Sequence, residues 1–273
     1  MITFPNGKIN IGLYITGKRD DGYHNLETVF YPVPVKDALE IVPATGEPQV
    51  HLSGLPVQGD PMNNLVWKAY ILLKARYRQR IPDLDVYLHK AIPMGAGLGG
   101  GSADGAFMLR LISDYCQLAL AEEELLDLAL QLGSDCPFFI RNTPQFATGR
   151  GEIMEPLDLK LKGYQLLLIC PGIHVSTAAA FSDIQPQAAR TDLRQIDRIP
   201  VSEWRHKVGN DFEEPVFRQF PELKEIKEKL YRAGALYAQM SGTGSAMYGI
   251  FETDPEIDLF PDRNFSKYQF SFT

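Results

Sequence analysis

Several short segments of the chain alternate apolar and polar residues, and this alternation predicts β-strands. In residues 8–13, for example, the apolar side chains share one face of the strand, whereas Lys8 and Asn10 share the other. Similar patterns predict further strands at residues 28–31, 38–42, 84–89 and 246–251, and the continuous apolar run at residues 166–170 predicts a buried strand.

A helical period governs other parts of the chain. Apolar residues recur at helical spacing between residues 65 and 80, and Asn63 or Asn64 would supply the N-terminal cap. Gly133 stands where the C-terminal cap of a helix is expected. Besides 65–80, helices are predicted at residues 102–117, 121–132, 177–182, 210–218 and 221–233.

Glycines and prolines interrupt residues 146–163, and this composition predicts a crossover without regular structure. We place a domain boundary there, between residues 1–150 and 151–273. Strands and helices interleave along the chain without a regular βαβ order. The predicted fold class is therefore α+β rather than a doubly wound parallel sheet.

A glycine-rich segment lies between a predicted strand and a predicted helix, with five glycines in the seven positions from Gly95 to Gly101. These flanks argue against a flexible linker. Glycine at this density permits turns and close approaches that a Cβ atom would block. A loop that opens a helix presents unpaired N–H groups and a positive dipole end, for which phosphate is the usual ligand. The alternative is a tight turn without a ligand.

The spacing of this loop differs from two known phosphate loops. A P-loop that starts at Gly95 requires a lysine where Gly101 stands, so a P-loop nucleotidase is disfavoured. The dinucleotide pattern Gly-x-Gly-x-x-Gly is formally met from Gly95 onward. However, Pro93 separates the strand from the loop. Leu120 also stands where this pattern requires an acidic residue that binds the ribose of the dinucleotide.

Composition limits the class of protein. The 273-residue chain is 45% hydrophobic, which is enough apolar material for one large domain or two smaller ones. Its net charge of −7 argues against a nucleic-acid partner, because nucleic-acid surfaces are normally basic. The longest purely apolar run, 166–170, is too short to span a membrane. No secretory signal is predicted, and three cysteines without metal-binding spacing suggest reduced thiols in a cytoplasmic protein.

The glycine-rich segment resembles the second motif of the GHMP kinase superfamily, which includes galactokinase, homoserine kinase, mevalonate kinase and phosphomevalonate kinase. Residues 8–14 resemble its first motif, and residues 241–246 resemble its third, a glycine turn beside the phosphates. The resemblance implies an α+β fold of two domains, ATP-binding 1–150 and C-terminal 151–273, with the active site in the cleft between them. It also implies that the ATP phosphates contact Pro93, Met94, Gly95, Ala96, Gly97, Leu98, Gly99, Gly100, Gly101, Ser102 and Ala103.

Four more segments narrow the resemblance: residues 19–26, 133–139, 147–152 and 210–213. They are similar to a member of the superfamily that phosphorylates a hydroxyl group of a cytidine diphosphate-linked isoprenoid precursor. Two departures are visible. Asp20 replaces the usual proline, and the tail after Phe251 is short, which leaves the closing edge of the second domain undefined.

The resemblance implies two catalytic residues. Asp135 would be the base that accepts the hydroxyl proton, and Lys8 would be the cation that pairs with it and meets charge on the transferred phosphoryl group. Position alone favours simpler interpretations. Asp135, two residues before Pro137, would cap a helix, and Lys8 would be a solvated lysine.

The resemblance also implies a set of acceptor contacts. Tyr23 and His24 would hold the cytosine base, and Phe181 would stack on its other face. Asn10 and Thr177 would be further contacts to this small-molecule acceptor.

ATP would bind together with Mg²⁺, whose ligands the sequence leaves open. Ser102 or a water network would be the candidates, because no cluster of carboxylates is evident. The adenine pocket is expected near Asn64, Leu65 and Lys90.

Three other functions remain open from the residues. A homoserine or mevalonate kinase of the same superfamily would not need the aromatic set Tyr23, His24 and Phe181. A nicotinamide-dependent oxidoreductase would bind NAD, whereas a kinase would fail to bind NAD and would be retained on immobilised ATP. A non-catalytic nucleotide-binding module would not need Lys8 and Asp135.

Overall fold

The structure is a computed structural model that describes residues 1–57, 59–182, 184–256, 260, 262 and 265–272. Its internal contacts form two compact units, each assembled from separate stretches of the chain. Unit 1 contains Met1–Lys8, Pro32–Met94 and Gly99–Thr143, and unit 2 contains Ile9–Tyr31, Gly95–Leu98 and Pro144–Thr273. The domain boundary expected at residue 150 stays a prediction, because a compact unit is not by itself a folding domain.

Strands and helices are interleaved in runs of unequal length through the described residues, without a regular βαβ order, as expected for the α+β class. The strands are β1 (Ile2–Thr3), β2 (Asn6–Lys18), β3 (His24–Lys36), β4 (Ala38–Pro43), β5 (Val50–Gly54), β6 (Leu84–Lys90), β7 (Gln145–Thr148), β8 (Ile153–Pro156), β9 (Gln165–Cys170), β10 (Tyr237–Met240), β11 (Met247–Phe251) and β12 (Ser266–Ser271). The α-helices are α1 (Leu65–Arg76), α2 (Gly100–Tyr115), α3 (Glu122–Leu132), α4 (Cys136–Arg141), α5 (Thr177–Ser182), α6 (Val201–Lys207), α7 (Glu213–Gln219) and α8 (Pro221–Arg232). Short 3₁₀ helices lie at Pro61–Asn63 and Leu193–Arg198. Within the described residues, no helix has the length and apolar character needed to cross a membrane.

Unit 1 contains a four-stranded sheet in the order β1-β4-β6-β5. β4 pairs antiparallel with both β1 and β6, whereas β5 runs parallel to β6. The alternation that predicted β6 is confirmed, because Val86 and Leu88 are buried while Tyr87 between them is exposed. Helices α1 to α4 complete the unit, and α2 packs against α1, α3 and α4.

Helix α1 shows how local sequence sets an element of this unit. The Oδ1 atom of Asn64 accepts a hydrogen bond of 3.0 Å from the Val66 N–H, so Asn64 rather than Asn63 is the N-terminal cap. Val66, Ala69 and Leu73 are fully buried on one face. Hydrophobic burial and capping thus support the same helix.

Unit 2 contains an antiparallel sheet in the order β10-β11-β9-β12. Strand β9 was predicted from a continuous apolar run, and its residues from Leu166 to Cys170 are buried. Helix α8 buries Leu223, Ile226 and Leu230 in the core of the unit. This core supports the segments of unit 2 that are expected to bind substrates.

A third sheet has the order β2-β3-β7-β8, and β2 and β3 each contribute residues to both units. Strands β7 and β8 pair antiparallel across a turn in which Gly149 and Gly151 have positive φ angles. The expectation of an irregular crossover at residues 146–163 is therefore wrong. Each of the two strands has only four residues, too few to show a period between the glycines and prolines that surround them.

Other boundaries differ from the sequence-based expectations. The helix expected at 210–218 begins at Glu213, because the side chain of Asn210 first makes a turn by accepting the Phe212 N–H. Helix α6 was not predicted. The short tail after Phe251 supplies β12, which pairs with β9 and provides the edge strand left undefined by the sequence.

Candidate active site

The first half of the glycine-rich loop, Gly95–Leu98, belongs to unit 2 and is held by the second glycine turn. The hydroxyl group of Ser241 donates a hydrogen bond of 2.8 Å to the carbonyl of Gly97. The Ala246 N–H donates one of 3.1 Å to the carbonyl of Ala96. Gly97 has a φ angle of +78°, and a Cβ atom there would collide with the carbonyl oxygen of Ser241. Glycine is required at this position by close approach of two backbones.

The second half of the loop belongs to unit 1 and opens helix α2. The N-cap is Gly99, which is left-handed with φ +68° and has no side chain with which to cap the helix. The first turn of α2 contains no acidic residue, whereas the first turn of α3 contains Glu122, Glu123 and Glu124. The N–H groups and dipole of α2 are therefore not neutralised by its own side chains, as a helix that binds an anion requires.

Lys8 and Asp135 lie together in unit 1. The Nζ atom of Lys8 is 3.7 Å from Oδ2 of Asp135, and the Lys8 side chain is 5% exposed while that of Asp135 is 33% exposed. Burial lowers the pKa of Lys8, and the charge of Asp135 opposes this by favouring the protonated form. Asp135 thus helps to keep a buried lysine cationic while remaining accessible itself.

The structure separates the two interpretations of Asp135. The residue does occupy the N-cap position of α4, with Pro137 in the first turn, but its side chain makes no capping hydrogen bond. Its carboxylate is instead paired with Lys8. Nor is Lys8 a solvated lysine: its stem lies against Gly99, where an added Cβ atom would stand 3.2 Å from Lys8 Cε.

Asn10 is fixed on β2 within unit 2 and is 2% exposed. Its amide group donates a hydrogen bond of 3.0 Å to Oγ1 of Thr28, and its backbone N–H donates one of 3.2 Å to Oγ of Ser241. The hydroxyl of Tyr248 donates to the Asn10 carbonyl at 2.8 Å. Asn10 is therefore joined to the glycine turn that also holds Gly97.

Tyr23 and His24 follow a tight turn between β2 and β3. The Asp21 carboxylate accepts a hydrogen bond from the Tyr23 N–H, which is the main reason that the pKa of Asp21 is lowered. The ring of Tyr23 is 55% exposed, and the Arg150 guanidinium lies 4.9 Å from its centroid. This contact is a cation–π interaction, and about half of the Tyr23 surface is nevertheless open to solvent.

Phe181 is brought together with His24 by the fold of unit 2. The two rings stack with centroids 5.1 Å apart and an interplanar angle of 22°. Phe181 also packs edge-on against Phe212 at 4.7 Å. Thr177, one turn earlier on α5, places its Oγ1 3.5 Å from Oγ1 of Thr243 in the glycine turn. Helix α5 thus carries two of the expected acceptor contacts, Thr177 and Phe181, and Phe181 stacks on a third, His24.

Residues 210–213 contain supporting side chains to which the sequence analysis assigned no role. The Asn210 amide donates hydrogen bonds to the carbonyls of Met240 and Gly242 at 2.9 and 2.8 Å. Glu213 accepts the Met240 N–H at 3.0 Å and pairs with Lys227. Both residues therefore hold the strand end and turn that contact Gly97. The signal in the sequence was the resemblance of this segment to the kinase superfamily.

Two of the residues expected near the adenine pocket, Asn64 and Lys90, have side chains that already make contacts in the structure. The side chains of Asn64 and Lys90 are both engaged within unit 1, Asn64 as a helix cap and Lys90 in a buried ion pair. No three His, Cys, Asp or Glu side chains among the described residues are arranged to hold a metal ion. Burial raises the pKa of Cys136 to about 12, so this thiol next to Asp135 stays protonated.

Comparisons with known proteins identify the class. Residues 64–143 match the family described as GHMP kinases N terminal domain, and residues 186–268 match GHMP kinases C terminal. A Methanococcus jannaschii mevalonate kinase structure covers 100% of this chain and is itself covered to 98%, with a TM-score of 0.69 at 14% identity. At that identity the similarity shows the fold alone.

More similar relatives carry one name. A Bacteroides fragilis protein named 4-diphosphocytidyl-2-C-methyl-D-erythritol kinase is 55% identical over 260 residues, 94% of each chain. A Parabacteroides distasonis protein of the same name is 55% identical and covers 96% of this chain and 97% of its own. A crystal structure of 4-(cytidine 5'-diphospho)-2C-methyl-D-erythritol kinase has a TM-score of 0.76 at 32% identity, over 92% of this chain and 90% of its own.

These matches define a small-molecule kinase of the GHMP type with the two-domain α+β fold of that class. Within that class the chain belongs to the 4-diphosphocytidyl-2-C-methyl-D-erythritol kinase family. The resemblance stated from the sequence motifs is confirmed. The formal dinucleotide pattern in the glycine-rich loop does not indicate an oxidoreductase.

Gly101 allows a direct test of the loop as a phosphate site. A Cβ atom on Gly101 would meet nothing within 4 Å, whereas one on Gly100 would press against Ile92. We expect Gly101→Val to fold normally, because valine is no worse than glycine in a helix. Its side chain would occupy the space of the anion, so ATP affinity measured by calorimetry should fall by at least about tenfold.

Gly46 is the matched control for this substitution. It is exposed, has no positive φ angle, and a Cβ atom there would also meet nothing within 4 Å. Gly46→Val should bind ATP as the unaltered protein does. Equal ATP affinity in both folded variants would contradict the assignment of the loop.

Proposed function

We propose that this kinase transfers the γ-phosphoryl group of ATP to a hydroxyl group of 4-diphosphocytidyl-2-C-methyl-D-erythritol, an isoprenoid precursor. The observation that carries the reaction is the ion pair of Lys8 with a partly exposed Asp135. The names of the relatives support the choice of acceptor. The three cysteines are free thiols, in keeping with a cytoplasmic enzyme.

Asp135 is the proposed general base. Its carboxylate is accessible, is not used in a helix cap, and can accept the proton of an acceptor hydroxyl as that oxygen attacks phosphorus. Direct in-line transfer then needs no covalent enzyme intermediate. Lys8 stabilises the ionised form of Asp135 and meets negative charge that develops on the transferred group.

The glycine-rich loop is the proposed phosphate site. Gly95, Gly97 and Gly99 adopt left-handed conformations that turn the backbone, and α2 presents its first N–H groups without an acidic residue in the first turn. Mg²⁺ bound with ATP would neutralise charge on the β- and γ-phosphates, and the Ser102 hydroxyl in the first turn of α2 is the candidate protein ligand.

The aromatic set is the proposed cytosine site. His24 and Phe181 already stack, and Tyr23 stands next to His24 at the exposed end of the turn. The 5.1 Å between the His24 and Phe181 centroids leaves no room for a third ring, so a pyrimidine ring would stack here once the two rings separate, with its polar edge bound by the His24 ring and nearby backbone groups. A homoserine or mevalonate acceptor has no ring to use this arrangement.

An ADP-release assay with several acceptors tests the proposed substrate. With ATP and Mg²⁺, kcat/KM for 4-diphosphocytidyl-2-C-methyl-D-erythritol should exceed that for mevalonate or homoserine by at least about a hundredfold, because groups placed for a nucleobase remain unpaired with the smaller acceptors. Equal turnover of the three acceptors would refute the proposed specificity.

Substitution of Asp135 tests the chemical step. Asp135→Asn keeps the shape of the side chain but removes the base, so kcat should fall by about 10²–10⁴ while ATP affinity is retained. The loss also removes the charge that supports protonation of Lys8, so the pKa of Lys8 should fall and the alkaline limb of the residual activity should move to lower pH.

Lys8→Met keeps the stem next to Gly99 and should also lower kcat. The double variant should lose less activity than the product of the two single losses, because the pair acts as a unit. Asp114→Asn, on an exposed residue of α2, is the control. Near-normal kcat in a folded Asp135→Asn protein would remove Asp135 from the mechanism.

Phe181 tests the cytosine site. Phe181→Ala should raise the acceptor KM more than it lowers kcat, because base stacking is remote from the reacting hydroxyl and is felt equally in the ground and transition states. The loss should be about 1–3 kcal/mol, as for base–aromatic stacking elsewhere.

Tyr87 provides a control with similar surroundings. Its ring stacks on His51 with centroids 4.4 Å apart and an interplanar angle of 17°, on the sheet of unit 1. Tyr87→Ala removes an aromatic ring from a histidine stack of the same kind and should leave the acceptor KM unchanged. An unchanged KM in Phe181→Ala as well would place cytosine elsewhere.

A further inference from the structure

Three charged side chains are buried together beside the glycine-rich loop in unit 1. They are Asp37 after β3, Lys90 at the end of β6, and Asp104 in α2, and each is at most 1% exposed. The Nζ atom of Lys90 donates hydrogen bonds to Oδ2 of Asp37 and, at 2.6 Å, to Oδ2 of Asp104. Complete burial of two carboxylates around one ammonium group is uncommon and costly.

The second oxygen of Asp37 holds the backbone just before the loop. Its Oδ1 accepts hydrogen bonds from the Ala91 N–H at 2.6 Å and the Ile92 N–H at 2.8 Å. These are the last two peptide N–H groups before Pro93, which has none. One carboxylate therefore fixes the direction in which the chain leaves β6 and enters the glycine-rich loop.

Asp104 lies on the other side of the loop, one turn into α2. Because Lys90 binds both carboxylates, it connects the backbone before the loop to the helix after it. The ammonium group also lies under the first turn of α2: a Cβ atom on Gly100 would stand 3.3 Å from Lys90 Nζ. Both ends of the phosphate-binding segment in unit 1 are thus tied to the same cation.

Burial of these polar groups carries free-energy penalties, so the cluster is not explained by a gain in the stability of the fold. Burial raises the pKa of Asp104, although the charge of Lys90 opposes the shift, so the surroundings disfavour the ionised form of this carboxyl. Its Oδ1 atom has no hydrogen-bond partner among the described residues. A well-packed apolar trio would avoid both penalties, so the polar cluster is better explained by conformational specificity.

We propose that the Asp37–Lys90–Asp104 cluster is a positioning device for the nucleotide: it fixes the two ends of the glycine-rich loop so that the first N–H groups of α2 are held ready for phosphate. The inference rests on the proposed role of the loop as the ATP phosphate site. None of the three side chains needs to contact the nucleotide. Its effect should appear in ATP binding and be absent from acceptor binding.

A pair of substitutions at Asp104 separates positioning from structure. Asp104→Asn keeps an oxygen that accepts from Lys90 and resembles the neutral acid, so ATP affinity should stay within about twofold. Asp104→Leu has a similar volume but severs the tie, and it leaves Asp37 and Lys90 as a balanced ion pair. We expect its ATP dissociation constant, measured by calorimetry, to rise about tenfold, the size expected for losing indirect support of a site.

Steady-state kinetics distinguish positioning of the nucleotide from general stabilisation of the fold, because only the former changes the KM for ATP without changing the acceptor KM. In Asp104→Leu the KM for ATP should rise with the same factor, while the acceptor KM should remain unchanged. Ile112→Ala is the control, because Ile112 is fully buried near the far end of α2 and its loss weakens the same helix without touching the tie. It should lower the thermal midpoint and leave both KM values unchanged.

Two results would overturn the proposal. One is normal ATP affinity in a folded Asp104→Leu protein, or in Asp104→Ala if the leucine variant does not fold. The other is failure of both to fold while Asp104→Asn folds, which would make the tie a requirement of folding. Calorimetry needs no acceptor, so an error in the proposed acceptor would leave this test intact. The loss of ATP affinity expected for Gly101→Val tests separately whether the loop binds phosphate.

Discussion

The proposed ATP site of this kinase depends on one constraint: the N–H groups at the start of α2 must stay available to an anion. A helix that satisfied them with its own side chains would lose the site, and α2 begins instead at a glycine in a left-handed conformation. The backbone before it makes two further left-handed turns, at Gly95 and Gly97. Such a segment has few favourable contacts of its own, so its shape must be imposed by its neighbours.

The neighbours hold the loop through backbone and polar contacts as well as apolar packing. In unit 2, Ser241 and Ala246 bind the carbonyls of Gly97 and Ala96, and Asn210 in turn holds the turn that carries Ser241. In unit 1, the stem of Lys8 lies against Gly99 and its ammonium group faces Asp135. Each half of the loop is thus shaped by contacts within its own unit, and in unit 1 these contacts include the Lys8 side chain of the proposed catalytic pair.

The sequence predicted those features in which local chemistry decides. The glycines with positive φ, the capping of α1 by an asparagine and the buried strand β9 each follow from a few adjacent residues. The pairing of Lys8 with Asp135 was expected only from the resemblance, because 127 residues separate the two in the chain. Spacing alone favoured a capping role for Asp135.

The features that were missed depend on contacts between distant parts of the chain. Strands β7 and β8 are too short to show alternation, and β12 is recognisable only through its pairing with β9. The burial of the Lys90 side chain was not predicted, because its carboxylate partners are 53 and 14 residues away in the chain. Burial of a charged residue cannot be inferred from its own neighbours in sequence when its partners come from other elements.

The segment at residues 210–213 supports both of the binding sites proposed for unit 2. Asn210 binds the carbonyls of the glycine turn, and Phe212, two positions later, backs the ring of Phe181. A change that reshapes the aromatic site through Phe212 would also move the turn that supports Gly97. Under the proposed site assignments, acceptor preference and nucleotide affinity would be linked through these four residues, and a new acceptor site built here would have to preserve Asn210.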